Sequence, residues 1–322
     1  MKYLITGGAG FIGSHLAEAL LKNGHSVRVL DDFSTGAREN LTKISHDSRL
    51  EMISGNILDR KLVEQCFIGI DGCFHMAAAV GVEKILKDPI GSLKTNIHGS
   101  ENVLETAASH NVPILLASTS EIYGKNASES LTEDSDRIIG SPLLSRWTYS
   151  EAKALDESFA RALYEQRNLK VKIIRYFNTV GPRQSHAYGM VIPKFFYAAM
   201  RNLPLIVHGD GNQQRIFCHV EDSIRGTLSV WNLDGVNGEV FNLAGNEEIS
   251  ILELAHRVIE MCGSKSKIEF ISYKQMRGSG FEDIKRRRPN IEKIKKLTGW
   301  SPELGINEIL RDYFIWAAKY NV

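Results

Sequence analysis

Thr6-Gly7-Gly8-Ala9-Gly10-Phe11-Ile12-Gly13 follows directly on the apolar run Tyr3-Leu4-Ile5 and opens a helical pattern reaching about Lys22. A glycine-rich turn between a first strand and a first helix brings backbone N–H groups and a helix N-terminus to a pyrophosphate. The expected contacts are Gly7, Gly10, Phe11, Ile12 and Gly13. The next strand-like run, Ser26-Val27-Arg28-Val29-Leu30, ends at Asp31-Asp32. An acid roughly 20 residues past the glycines is placed to bond the adenosine ribose hydroxyls. Two acids in succession repel the extra phosphate of NADP, so the cofactor expected is NAD.

Outward from this stretch, short apolar runs at 2–6, 26–30, 50–53, 72–75 and 113–117 alternate with helical stretches at about 11–23, 59–67 and 92–110. Alternating βα units predict an α/β fold of Rossmann type, a doubly wound parallel sheet with helices on both faces. A helix at 148–168 and a strand at 170–175 continue the pattern. After Gly181-Pro182 it becomes mixed, with helices near 190–201, 250–262, 291–297 and 306–319 and short strands near 205–208 and 239–243. We therefore expect a dinucleotide-binding domain over 1–176. Residues 177–322 are expected to form mainly a smaller mixed α/β substrate-binding lobe, with some chain returning to the sheet.

With 322 residues, 24% of them charged, and a net charge of +1, nothing global points to a nucleic-acid or membrane surface. No apolar run reaches the roughly 18 residues of a membrane span. The first strand-like run starts at residue 2, so a signal peptide is not expected and the cytoplasm is the expected location. Cys66, Cys73, Cys218 and Cys262 lie far apart and read as small buried hydrophobes. His75 reads as a core or rim histidine. His208 and His219 have no partners at metal-ligand spacing, so no metal site is expected.

Two segments carry chemistry. Tyr149 and Lys153 stand four apart in Trp147-Thr148-Tyr149-Ser150-Glu151-Ala152-Lys153, which on a helix puts both on one face. An ammonium beside a phenol favours the phenolate, which can take a hydroxyl proton while hydride leaves the same carbon. The second segment, Ala117-Ser118-Thr119-Ser120-Glu121-Ile122-Tyr123-Gly124, lies just past the fifth strand. There, loops beyond strand carboxyl ends form the ligand crevice of a doubly wound sheet. A hydroxyl of Ser118, Thr119 or Ser120 is placed to share a substrate proton with Tyr149, and Glu121 adds a carboxylate.

With these segments together, the chain resembles the extended short-chain dehydrogenase/reductase family of nucleotide-sugar epimerases, dehydratases and decarboxylases. Met76-Ala77-Ala78, Leu93-Lys94-Thr95-Asn96, Tyr176-Phe177-Asn178-Thr179-Val180-Gly181-Pro182-Arg183, Arg215-Ile216-Phe217 and Gly299-Trp300-Ser301-Pro302 extend the resemblance over essentially the whole chain. The resemblance implies that Tyr149 acts as base and acid and that Lys153 lowers its pKa and holds the nicotinamide ribose. It implies that Met76, Ala77, Ala78, Asn96, Ser118, Tyr176, Asn178 and Val180 surround the cofactor. Asn56-Ile57 would lie by the adenine, where the family usually has aspartate for Asn56. Asn178 and Arg215 would hold the sugar-nucleotide diphosphate, with Val191 in the segment framing the nucleoside. A homodimer built on the helices near 92–110 and 148–168 is implied in the same way.

Within the family, three reactions share an opening in which C4 of the sugar is oxidised; reduction, loss of water or loss of CO2 then follows. Ser118-Thr119-Ser120-Glu121-Ile122-Tyr123-Gly124 resembles the Ser-Thr-Ser-Glu-Val-Tyr-Gly of UDP-glucuronate decarboxylases. Lys285-Arg286-Arg287-Arg288-Pro289-Asn290-Ile291 resembles their Arg-Lys-Pro-Asp-Ile. That alignment puts Arg287 on their active-site arginine, where it would clamp a carboxylate or diphosphate and help reprotonate C5. The tyrosine-rich stretch many decarboxylases carry is replaced here by Val80-Gly81-Val82-Glu83-Lys84, which makes Val80, Glu83 and Lys84 candidate sugar contacts. The activity implied is decarboxylation of UDP-glucuronate to UDP-xylose or its 4-keto pentose. A 4-epimerase or 4,6-dehydratase of a UDP-sugar is the alternative, and a non-catalytic dinucleotide-binding protein the distant one.

Overall fold

The computed structural model describes residues 1–81, 88–272 and 286–320. The chain runs β1 (Lys2–Thr6), α1 (Phe11–Lys22), β2 (Ser26–Asp31), β3 (Leu50–Ser54), α2 (Arg60–Cys66) and β4 (Gly72–His75). It continues through α3 (Pro89–Lys94), a π-helical turn (Thr95–Gly99), α4 (Ser100–Ser109), β5 (Ile114–Thr119), a 3-10 turn (Ser120–Tyr123), α5 (Thr148–Arg167) and β6 (Val171–Tyr176). Then come β7 (Thr179–Val180), α6 (Val191–Ala199), β8 (Leu205–His208), β9 (Gln214–Ile216), β10 (Cys218–His219), α7 (Val220–Trp231) and β11 (Val240–Leu243). The described chain closes with β12 (Glu248–Ser250), α8 (Ile251–Met261), β13 (Ile268–Ile271), α9 (Glu292–Thr298) and α10 (Ile306–Tyr320).

Seven strands form one parallel sheet in the order β11-β6-β5-β4-β1-β2-β3. Its central strands β5 and β6 are buried almost throughout and mostly apolar, as strands covered on both faces are, with Lys172 and Arg175 of β6 buried among partners. One face buries Leu16, Leu20 and Val29 with Val230 and Trp300; the other buries Val63, Val103, Leu104 and Leu163 against Leu4 and Leu116. A separate core joins Ile192, Phe196, Leu254, Val258, Ile309 and Tyr313. The strand order reverses at β1, which pairs β2 on one side and β4 on the other. A crevice opens at the carboxyl ends of such a pair, because the connections leave the sheet in opposite directions there.

Element ends follow local chemistry. Ser250 caps α8 by accepting from the Glu253 N–H, the spacing of a capping box. Asn168 ends α5 in the left-handed region at φ 56°, a conformation asparagine tolerates. The helix expected over 92–110 is divided by the π turn at 95–99. α7 and the short strands β7, β9, β10, β12 and β13 have no counterpart in the sequence reading. α7 starts directly after β10, and small polar residues interrupt its apolar stripe. Ser223 and Thr227 are buried because they bond Thr179 (3.0 Å) and the Tyr176 hydroxyl (2.7 Å).

Candidate active site

A cavity of 520 Å³ lies over the β1/β4 switch point, bordered by the glycine turn, the ends of β2 and β5, and the first turn of α5. Gly7, Gly10, Phe11, Ile12, Gly13, Asp31, Asp32, Asn56, Ile57, Met76, Ala77, Ala78, Val80, Ser118, Thr119, Ser120, Glu121, Tyr149, Tyr176 and Asn178 all line it. Lys153, Asn96, Val180, Val191, Arg215 and Arg287 do not border the cavity. Glu83 and Lys84 lie outside the described residues.

The glycine turn is a cradle shaped by close approach. Gly7 adopts φ +70°, and a Cβ there would stand 2.7 Å from the Ala77 backbone; one on Gly13 would stand 2.2 Å from the Gly7 carbonyl. Gly10, the N-cap of α1, differs: its Cβ would meet only the Gly7 carbonyl, at 3.1 Å, and otherwise project into the cavity. A phosphate group fits this unobstructed helix N-terminus. Asp31 holds the turn from the end of β2, its carboxylate accepting from Ala9 N–H and Phe33 N–H, both at 2.8 Å. Burial raises the Asp31 pKa, and these backbone bonds oppose the rise. Asp32 accepts from Asn56 Nδ2 at 2.6 Å, so the second acid and the asparagine form one unit on the cavity rim. The residues present fit a dinucleotide with free ribose hydroxyls.

At the opposite end, Tyr149 faces the loop after β5. Burial raises its pKa above the ordinary phenol value, the charges of Glu121 and Asp156 raise it further, and a hydrogen bond with Thr119 opposes them. The expected lowering by Lys153 is not seen. The lysine, one turn further along α5, is buried, and its Nζ donates to Asp156 Oδ2 at 2.8 Å, so its charge is matched within the same helix. Asn96, from the π turn, sits behind the cavity wall and holds the Ala79 backbone by its N–H (2.7 Å) and carbonyl (3.1 Å).

Arg287 is buried one layer behind the cavity. Its Nη1 donates to Ser120 Oγ (3.0 Å) and Glu121 Oε1 (2.8 Å), while its buried Nε has no hydrogen-bond partner among the described residues. The Ser150 hydroxyl donates to the Glu121 carbonyl, fastening the 3-10 turn to α5. Ser118 donates to Glu157, which forms a double hydrogen bond with Arg175 (3.0 and 2.7 Å). Asn178 turns its Nδ2 to the Ile216 carbonyl, and Arg215 pairs across from Ile249 in the β9–β12 ladder. Val180 is buried in β7, and Val191 opens α6.

The sequence reading did not single out Arg183 as a site residue. It lines the cavity and reaches Ser14 Oγ (3.1 Å) and Glu18 Oε1 (2.6 Å) on α1, placing a guanidinium beside the glycine turn. Only its place in Gly181-Pro182-Arg183, a charged residue in a loop after a buried strand, could have signalled it. His75 is buried and bonded to Thr6 and Ser100. Among the described residues no group of acidic, histidine or cysteine side chains is spaced for a metal, and no helix is long and apolar enough to cross a membrane.

This geometry agrees with comparisons to known proteins. A profile of the GDP-mannose 4,6 dehydratase family matches residues 4–313. The UDP-N-acetyl-alpha-D-glucosaminuronate decarboxylase of Bacillus cytotoxicus is 36% identical over 97% of this chain and 96% of its own length. UDP-glucuronic acid decarboxylase 1 of Danio rerio is 36% identical over 97% of this chain and 72% of its own. Among solved structures, the UDP-glucuronic acid 4-epimerase of Bacillus cereus, in complex with UDP-glucuronic acid and NAD, superposes with a TM-score of 0.90 at 29% identity. That match covers 99% of this chain and all (100%) of the other. With a family profile that matches residues 4–313, nearly all of the sequence, the chain belongs to the GDP-mannose 4,6 dehydratase family.

Proposed function

We propose that this protein decarboxylates a UDP-linked uronic acid, UDP-glucuronate or its N-acetylated counterpart, through a 4-keto intermediate, with NAD held in the cavity. The observation that carries the reading is Arg287, a buried guanidinium joined to Ser120 and Glu121 at the turn after β5, with Nε unpartnered among the described residues. Glu121 already matches the charge of this guanidinium, but its Nε–H is a donor left over for a second carboxylate, which an acidic sugar has and a neutral sugar lacks. NAD, when bound, supplies a hydride acceptor that returns the hydride later. Gly7, Gly10, Gly13, Asp31 and Asp32 hold its adenosine diphosphate half, and Met76, Ala77, Ala78, Ser118 and Tyr176 border the other. Tyr149 takes the proton from O4 as the sugar is oxidised, and Thr119 or Ser120 bonds that oxygen. Oxidation leaves a ketone β to the C5 carboxylate, so the C5–carboxylate bond breaks with release of CO2 and C5 takes up a proton. Glu121 on the cavity wall, with Arg287 bonded behind it, would act around C5 and C6.

The N-acetylated substrate is favoured equally by the Bacillus cytotoxicus relative, similar along its whole length. The lobe from residue 177 onward, with Asn178 and Arg215, is our choice for the sugar nucleotide. We also propose a cytoplasmic homodimer joined through α4 and α5, with Leu155, half-exposed on α5, as one apolar contact; sedimentation at micromolar protein would show a single monomer species if this is wrong. The deciding experiment is incubation with UDP-glucuronate and UDP-N-acetylglucosaminuronate plus NAD, followed by mass spectrometry. We expect a product lighter by one CO2. An isomer of unchanged mass would make the protein a 4-epimerase, as in the Bacillus cereus neighbour, and overturn the reading.

A further inference from the structure

From Lys153 runs a chain of buried hydrogen bonds. Tyr149, Lys153 and Asp156 fall on one face of α5, at i, i+4 and i+7. Asp156 Oδ2 accepts from Lys153 Nζ (2.8 Å) and from Ser100 Oγ on the neighbouring α4 (3.0 Å). Ser100 Oγ lies 3.1 Å from His75 Nε2, and His75 Nδ1 lies 2.6 Å from Thr6 Oγ1. Thr6, His75, Ser100, Lys153 and Asp156 are all nearly inaccessible to solvent.

The donors in this chain have one consistent assignment. A serine has a single hydroxyl proton, and the carboxylate claims it. Ser100 Oγ must then accept from His75 Nε2–H, so the ring carries its proton on Nε2. Nδ1 is left as an acceptor, and Thr6 donates to it. Thr6 Oγ1 in turn accepts the Ala77 N–H at 3.3 Å. Every member is satisfied without a charged histidine, and burial, with Lys153 nearby, lowers the His75 pKa to about 3. The chain thus ties the residue before the glycine turn (Thr6) and a cavity-lining backbone (Ala77) to the lysine one turn past the tyrosine.

We propose that Asp156 is a positioning residue for Lys153: held by Ser100, which His75 and Thr6 orient, it fixes the ammonium one turn from Tyr149 and offsets the ammonium's charge at the phenol. The proposal rests on the reading of Tyr149 as the base. The groups facing Tyr149 are Glu121 and Thr119 from the β5 end and Asp156 from its own helix; Lys153 lies one turn further along α5, with His75 of β4 near it, and Arg287 bonds Glu121. Replacing Asp156 by asparagine keeps an oxygen for the lysine and removes only the negative charge.

The test is Asp156→Asn in the purified full-length chain, reading tyrosinate absorbance against pH with the matching Tyr149→Phe protein subtracted. We expect the Tyr149 titration, and with it the acid limb of kcat/KM, to move down by at least about half a pH unit. That is roughly threefold in ionised fraction. An unmoved titration and unmoved limb in a folded Asp156→Asn protein would overturn the proposal. If that variant does not fold, Ser100→Ala keeps the ion pair and removes one of its restraints. A several-fold lower kcat with unchanged KM is then expected, and unchanged kcat would overturn the proposal. The absorbance titration needs no substrate, so it separates a failure here from a failure of the decarboxylase reading.

Discussion

At the scale of single residues, the cavity owes its chemistry to matched charges. Lys153 and Asp156 neutralise one another in the interior, as an isolated buried ammonium would be costly. Arg287 and Glu121 repeat the arrangement at the turn after β5. Tyr149, whose pKa burial raises, is the base of the proposed mechanism. Tyr149→Phe removes the phenol hydroxyl while leaving the glycine cradle and Asp31 untouched. We expect it to bind NAD with near-normal affinity by fluorescence titration and to lose about 10²–10⁴ in kcat, the usual range for a general acid–base group. Substantial remaining turnover would remove Tyr149 from the mechanism. That Tyr149, the Ser118–Glu121 run and the glycines would meet at one cavity was readable from the sequence, because each is set by local spacing at a strand end or helix start. Asp156 was not: at i+3 from Lys153 it reads as an ordinary surface ion pair until Ser100 and His75 arrive from other elements.

At the scale of elements, the glycine turn and the π turn meet at the Met76–Ala79 loop. Gly7 lets that loop approach within a distance no side chain permits, and Asn96 clamps its far end through both backbone polar groups of Ala79. Asn96→Ala leaves a buried N–H and carbonyl unsatisfied at about 1–3 kcal/mol each. We expect roughly 2–4 kcal/mol lost in urea unfolding, with cofactor affinity falling in step because the wall of the cavity is released. Stability within about 0.5 kcal/mol of the parent, an ordinary surface effect, would show the clamp to be incidental. The βα alternation of the first half was legible because each long strand carries a short apolar run and the helical stretches lie between those runs. α7 and the short strands were not, since their pairing is made by partners far along the chain and by buried hydroxyl pairs that blur the apolar pattern.

For the whole molecule, acid should be the weak side. His15, against Arg183 at the glycine turn, is lowered to about 4 by burial first and by that arginine second, and burial lowers His75 to about 3. Both folded pKa values lie below the unfolded 6.5. Their stabilisation is therefore complete above pH 6.5 and lost as pH falls toward 4 and then 3, at up to about 1.4 kcal/mol per unit for each group. The midpoint of thermal unfolding should fall steadily below pH 6, and His15→Gln should flatten the upper part of that fall; identical curves would show that His15 does not contribute. The sequence by itself determined the Rossmann sheet, the cofactor-binding turn with its acids, and the Tyr149/Lys153 pair, because each is written in neighbours or in one period of one element. Tertiary structure alone decided that the Lys153–Asp156 pair is buried and bonded to Ser100, that Arg183 reaches back across the fold to α1, and that Arg287 closes on Ser120 and Glu121. These depend on which side chains share a low-dielectric interior, and spacing along a chain does not encode that distance.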